Sequence, residues 1–330
     1  MRVRTICSSI MGRISSIMGR ITVARRVVGD DRGGVLWARP YQVSTPGCRS
    51  SFGVMSRAAE VSTSLLPMRI PQLGFGTWRL FGDEGCDVVV EALDVGYRHI
   101  DTAQMYGNEE MVGKAISLSG IPREEIWITT KLDNPNHAPV SARDSFARSL
   151  DALGVDHVDL FLMHWPLRDE AGFVRTWETM QEFSSDGRAT HIGVSNFHAH
   201  HLEAIIEATG VTPFANQIEV HPYLVQKELI DFCHSKRILV EAWSPLGRGR
   251  AFAEPVIVTI AEQLGRTPAQ VVLRWQLQRG LVVIPKSANR ERIIENSQIF
   301  DFELTDDQMT AITSLHNGER IGPDPDERDQ

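Results

Sequence analysis

From about residue 70 onward, short runs of β-branched, aromatic and aliphatic residues alternate with longer stretches whose apolar positions fall at near-helical spacing. Eight short runs are readable, over 73–77, 98–101, 126–131, 158–164, 190–195, 214–219, 239–243 and 281–285. The stretches between them read as helices. Residues 83–95 carry Val88, Val89, Ala92 and Leu93 on one side, and 141–153 stops at Gly154. Residues 269–278 follow Thr267-Pro268, a capping threonine with proline at the first helical position. Such alternation predicts βα units and a parallel sheet, because parallel strands need a crossover long enough to hold a helix. Eight units in about 250 residues are the size of one (β/α)8 TIM barrel, an α/β fold. A doubly wound sheet, the competing architecture, usually carries G-x-G-x-x-G after its first strand; Gly74-Phe-Gly76-Thr-Trp-Arg79 lacks the third glycine.

Charge divides the chain in two. Residues 1–59 hold ten Arg, no Lys and two Asp, a net of +8, so the formal −8 of all 330 residues leaves −16 for residues 60–330. The first segment repeats Ser-Ser-Ile-Met-Gly-Arg-Ile at 8–14 and 15–21 and shows no sustained helical or strand period. It reads as a disordered Arg-rich extension ahead of a barrel over 60–330. Its composition also fits an organelle transit peptide, but the favoured reading is upstream sequence included by a mis-assigned start, since Met55 and Met68 stand just before the ordered pattern. No aromatic interleaving accompanies the basic residues, so nucleic-acid binding is not expected. The chain is 42% hydrophobic and has no run of eighteen apolar residues, which predicts a soluble protein with no membrane segment. Cys7, Cys48, Cys86 and Cys233 show no paired spacing, so neither a disulfide framework nor a metal site is expected, and a reducing, cytoplasmic setting fits.

Candidate chemistry lies where strands end. Asp101, Lys131 and His164 each close an expected strand and Tyr106 follows the first of them; in a parallel barrel those ends converge. A tyrosine hydroxyl is a poor acid near its ordinary pKa of about 10, and an ammonium such as Lys131 beside it lowers that value. A half-buried lysine needs a carboxylate to keep its charge, and Asp101 is the candidate. With His164 orienting the group that receives the proton, the set suits protonation of a developing alkoxide. Taken singly, each residue has a plainer role open to it: a structural histidine, a solvated lysine, a turn-capping aspartate, a packed loop tyrosine.

Eight stretches in order resemble the aldo-keto reductases: Gly74-Phe-Gly-Thr-Trp78, Asp101-Thr-Ala-Gln-Met-Tyr106-Gly-Asn-Glu109, Thr130-Lys131-Leu, His164-Trp-Pro166, Gly193-Val-Ser-Asn-Phe197, Gln217-Ile-Glu-Val-His-Pro-Tyr223, Ser244-Pro-Leu-Gly247 and Ile284-Pro-Lys-Ser287. The resemblance covers roughly 70–320. It implies an NADPH-dependent carbonyl reductase on a TIM barrel, acting as a monomer without metal on a small-molecule carbonyl substrate. Tyr106 then becomes the general acid, tuned by Lys131 and Asp101, with His164 orienting the carbonyl. The resemblance places the nicotinamide against Ser195, Asn196 and Gln217, with Trp243 stacked on it and Ser244 and Leu246 alongside. Many members have tyrosine where this chain has Trp243; a tryptophan still offers a flat face. Lys286, Ser287 and Arg292 would hold the 2′-phosphate that distinguishes NADP from NAD, at a helix N-terminus, with Glu295 and Asn296 near the adenine.

Trp78 and Trp165 would line the substrate pocket. The loops after His164 and Trp243 and the C-terminal tail all read as short, which implies an open pocket like that of bacterial reductases of the 2,5-diketo-D-gluconate type, suited to small polar aldehydes, ketones and keto-sugars. The alternative is an NADPH-binding regulatory or interaction subunit on the same fold; an intact acid machinery discriminates against it.

If the Arg-rich segment contributes nothing to the barrel, a chain beginning at Met55 should fold and reduce carbonyls like the full chain. Thermal melts of the two proteins provide the check, and a drop of more than about 4 °C on truncation would mean that the segment packs on the barrel.

Overall fold

The computed structural model describes residues 70–166 and 168–328; the Arg-rich segment, with Cys7 and Cys48, lies outside the described residues. Eight strands follow in order: β1 (Phe75–Gly76), β2 (His99–Asp101), β3 (Trp127–Leu132), β4 (Val158–Met163), β5 (Ala189–Ser195), β6 (Ala215–Glu219), β7 (Leu239–Trp243) and β8 (Val282–Val283). Helices α1 (Gly82–Val95), α2 (Glu109–Ser119), α3 (Pro139–Leu153), α4 (Glu170–Ser185), α5 (Ala199–Thr209) and α6 (Lys227–Ser235) occupy the first six crossovers. Two helices, α7 (Pro255–Leu264) and α8 (Pro268–Gln278), fill the seventh, and α9 (Arg290–Ser297) and α10 (Asp306–Thr313) follow β8.

Every strand pairs in parallel with its sequence neighbour. Leu73 bridges Val283 in parallel. Around it the Gly74 N–H donates to Val283 O at 2.8 Å, the Val283 N–H to Gln72 O at 2.9 Å and the Gly76 N–H to Pro285 O at 3.1 Å. The sheet therefore closes on itself as an eight-stranded barrel, and the doubly wound alternative falls away. The first and last strands are shorter than the expected 73–77 and 281–285. Pro285 has no N–H to donate, so the ladder cannot run through it. Elsewhere the expected elements stand within a residue or two. Helix α3 stops on Gly154, at φ 66°, and α8 starts with a reciprocal cap between Thr267 and Gln270.

Side chains alternate across the strands and separate two cores. The larger lies between strands and helices and buries Ile100, Phe146, Phe161, Trp177, Phe183 and Trp275, among others. The smaller plugs the barrel interior with Ile70, Leu160, Leu162, Ala215, Leu239 and Val282, flanked by Trp127 and Phe214. Two residues further along β6 and β7 the interior turns polar, at Gln217 and Glu241, both fully buried. His99 belongs to this polar layer and fits because Gly74 faces it: a Cβ there would lie 2.8 Å from His99 Nδ1 and 2.7 Å from Ile284 Cγ2.

Candidate active site

Above that layer the strand ends bring the four expected side chains together. Lys131, fully buried, donates from Nζ to Asp101 Oδ1 at 2.6 Å and to Thr102 O at 2.9 Å. Tyr106 ends a 3-10 turn, Gln104–Tyr106, and its ring centre stands 5.2 Å from Lys131 Nζ. The His164 ring lies 5.8 Å from the tyrosine ring, and Trp78 packs edge-on against it at 4.8 Å. His164 follows β4 directly, and its N–H still bonds Leu132 O at 3.1 Å, so the barrel ladder itself positions it.

Burial works to strip the proton from Lys131, but the Asp101 carboxylate beside it opposes that, and the lysine is held above its ordinary range. Tyr106 departs from expectation. Burial pushes its hydroxyl above the ordinary tyrosine value, and the Lys131 charge offsets only part of that. The phenol thus keeps its proton, as a donor must. His164 is driven well below the ordinary histidine value, first by burial and then by the charges of Lys131 and Arg328. Its Nδ1 is buried without a hydrogen-bond partner among the described residues.

Beside this group, Asn196 ties three strand ends together. Its Nδ2 donates to His164 O at 2.9 Å and to Ser195 Oγ at 3.0 Å, while its Oδ1 accepts from Trp243 Nε1 at 2.7 Å. Ser195 Oγ donates to Gln217 O at 2.8 Å. Asn196 and Ser244 both hold left-handed backbone, φ 63° and 48°, a conformation that costs side-chain-bearing residues and clusters at functional sites. Leu246 is half-buried against the core.

On the far side of the mouth, Lys286 is exposed after β8, and Asn289 caps α9 by accepting from the Arg292 N–H at 3.0 Å. Partial burial and the charge of Arg79 both push the Lys286 pKa down, so two like charges are pressed together where an anion would relieve them. Ser287 bonds within its own turn, Glu295 Oε1 accepts from Thr267 Oγ1 at 2.6 Å, and Asn296 is buried.

A profile of the aldo/keto reductase family matches residues 72–317. The chain belongs to the aldo-keto reductase family. It is 46% identical over 260 residues to methylglyoxal reductase DkgA of Escherichia coli, covering 78% of this chain and 94% of that protein. Glyoxal reductase of Bacillus subtilis is 44% identical over 261 residues, 79% of this chain and 94% of the relative. The crystal structure of a Gox0644 variant in complex with NADPH superimposes with a TM-score of 0.77 at 43% identity, over 80% of this chain and 96% of that one. This protein is accordingly an oxidoreductase of the aldo-keto reductase type, and none of its described helices is long and apolar enough to cross a membrane.

The mouth of this reductase is less open than its short loops imply. Helix α4 begins at Glu170, closer to His164 than the helical stretch expected near Arg175. The C-terminal tail crosses the strand ends instead of leaving them. Glu219, at the end of β6, accepts from the Ile321 and Gly322 N–H groups at 2.6 and 3.0 Å. Gly322 lies so close to Trp243 that a Cβ would come within 2.6 Å of the indole, so only glycine fits. Asp326 stands 3.2 Å from both His198 Nδ1 and His200 Nε2 and 3.3 Å from His201 Nε2. Arg328 then lies 4.2 Å over the Trp165 ring and reaches Met105. Trp165 is buried under it, whereas Trp78 is 43% exposed.

Sequence reasoning missed Arg79, Glu219, Glu241 and the tail contacts. Glu241 alone had a partial signal, a carboxylate in an otherwise apolar strand, which becomes legible only once the barrel fixes the inward phase. Because burial, Lys131 and Arg328 all act against a charged imidazole, the His164 ring should show no protonation step around the ordinary histidine value of about 6.5. Ring-proton NMR over pH 5.5–8 tests this, and a shift centred near that value would show that the ring is solvated.

Proposed function

We propose that this protein reduces small aldehydes, ketones and keto-sugars to alcohols with NADPH, Tyr106 acting as general acid. The observation that carries the reading is the Lys131–Asp101 pair buried beneath a tyrosine that keeps its proton. NADPH, when bound, supplies the hydride. The donor set suits its phosphate end: Lys286 and Arg79 share a positive field beside the N-terminus of α9, with Ser287 and Arg292 as further donors. Ser195, Asn196 and Gln217 offer the polar groups for the nicotinamide amide, and Trp243 a flat face beside them. Glu295 and Asn296 stand near the adenine.

The substrate oxygen would lie between the Tyr106 hydroxyl and a neutral His164 carrying its proton on Nε2. As negative charge develops on that oxygen, His164 donates a hydrogen bond and Tyr106 transfers its proton, and the phenolate left behind is stabilised by Lys131. Asp101 keeps Lys131 charged while this happens. Trp78, Trp165 and the Arg328 guanidinium over the Trp165 ring set two aromatic faces and one cation at the mouth, which suits small polar carbonyls, and the names of the E. coli and B. subtilis relatives point to short dicarbonyls.

Tyr106→Phe retains the ring and should bind NADPH as before, while turnover falls by the roughly 10²–10⁴-fold of a lost general acid. Following NADPH absorbance with methylglyoxal decides it: turnover within about threefold of the parent would end the assignment. Arg292→Ala should weaken NADPH about ten- to a hundredfold and NADH far less, since charge-assisted bonds to the phosphate contribute roughly 1.5–3 kcal/mol. Titration of tryptophan fluorescence with the two cofactors reads the difference, and equal losses would refute a phosphate contact.

A further inference from the structure

Beneath the four mouth residues lies a second buried carboxylate that the reaction scheme leaves unused. Glu241, on β7, is fully buried and pairs in register with Gln217 on β6. The Gln217 amide nitrogen carries two protons and spends both on carboxylates, donating to Asp101 Oδ2 at 2.8 Å and to Glu241 Oε2 at 2.9 Å. One amide therefore bridges the carboxylate that holds Lys131 and a second acid below it. The other Glu241 oxygen, Oε1, is buried without a hydrogen-bond partner among the described residues. Its nearest cationic candidate is His99 Nε2 at 4.0 Å, which is already engaged with Thr129 Oγ1 at 3.0 Å.

Counting charge in this sealed space decides the state of the acid. Asp101 on β2 is matched by Lys131 on β3. His99 on β2 cannot supply a second cation, because burial drives its pKa down to about 4. The neighbouring part of β8, Val282–Val283, carries no charge at all. An ionised Glu241 would leave an uncompensated negative charge in the barrel interior, which costs far more than the single unpaired hydroxyl of the protonated acid.

We propose that Glu241 is a positioning residue of this active site: on the acid side of neutrality it is a neutral carboxylic acid that aims the Gln217 amide and keeps the buried charge beneath Tyr106 in balance. Burial, followed by Asp101, raises its pKa to about 7, so the balance is lost near neutrality. Above that pH a second negative charge lies under Asp101 and makes Tyr106 a weaker acid. The effect on turnover rests on the reading of Tyr106 given above; the protonation of Glu241 does not.

The sign for stability follows from a folded-state pKa raised above the unfolded value of about 4.3. The native protein binds the extra proton, so stability is fully present at low pH and is lost as pH rises through the folded value near 7. Glu241→Gln keeps the shape and never ionises. In the cofactor-free protein its melting temperature, relative to wild type, should rise by at least about 4 °C between pH 5 and pH 8. Curves that run parallel over that range overturn the proposal. Should the variant fold poorly, carbon-13 NMR of the wild-type side-chain carboxyls answers the same question, with one glutamate expected to titrate near pH 7. No glutamate titrating above pH 6 overturns it equally.

For the coupling, wild-type turnover in carbonyl reduction should fall about threefold or more between pH 6 and pH 8.5, with that step absent in Glu241→Gln. Identical profiles would remove the link to catalysis. A Tyr106→Phe enzyme with full turnover would instead sink the acid assignment, with the cofactor-free titration standing.

Discussion

A lysine ammonium with no exposed surface is tolerated only where something answers its charge, and here Asp101 does so at 2.6 Å. Removing one partner of such a pair costs roughly 3–5 kcal/mol, because the other is left charged in a medium that cannot solvate it. Neither residue can hold this position alone, and the pair needs two adjacent parallel strands in one register, with Asp101 beside Thr129 two residues before Lys131. The closed barrel supplies that register. A slip of one residue on β3 would turn Lys131 out toward the helices and fill its place with an uncharged side chain.

The layering inside the barrel follows from the same constraint. An apolar plug at one end, from Ile70 to Val282, excludes water from below and makes every charge above it more costly and more strongly coupled. Polar side chains then appear in the order in which partners become available: His99 with Thr129, Gln217 with two carboxylates, and Lys131 with Asp101 and a backbone carbonyl at the rim. The interior thus changes from apolar to polar across a few residues of each strand, and the buried Asp101, Lys131 and His164 stand on the polar side of that change.

Much of this architecture was legible in the sequence because period and punctuation agree along it. The central strands are apolar runs bounded by turn residues, and Gly154 and Thr267-Pro268 mark helix ends by local chemistry that the fold does not override. The closing strands were less legible, since their length is set by contact between Leu73 and Val283, more than two hundred residues apart, and by the missing N–H of Pro285. Strand-end polar residues stood out against apolar neighbours. Glu241 did not, because a single acid in a strand reads as a solvated face unless the barrel's inward phase is known. The sign of the Tyr106 shift was illegible for the same reason: sequence reveals that a lysine lies near but not how much water is gone.

The tail carries a consequence for which changes this chain tolerates. Its path is written mostly on residues outside it: Glu219 receives its backbone, the indole of Trp243 demands Gly322, and three histidines from the start of α5 and the residue before it receive Asp326. Lock and key are therefore inherited from separate stretches of the gene. A barrel that lost Glu219 would lose both acceptors of the Ile321 and Gly322 N–H groups although the tail's own sequence had not changed. In this chain the tail and its receiving residues therefore have to change together if the path over the strand ends is to be kept.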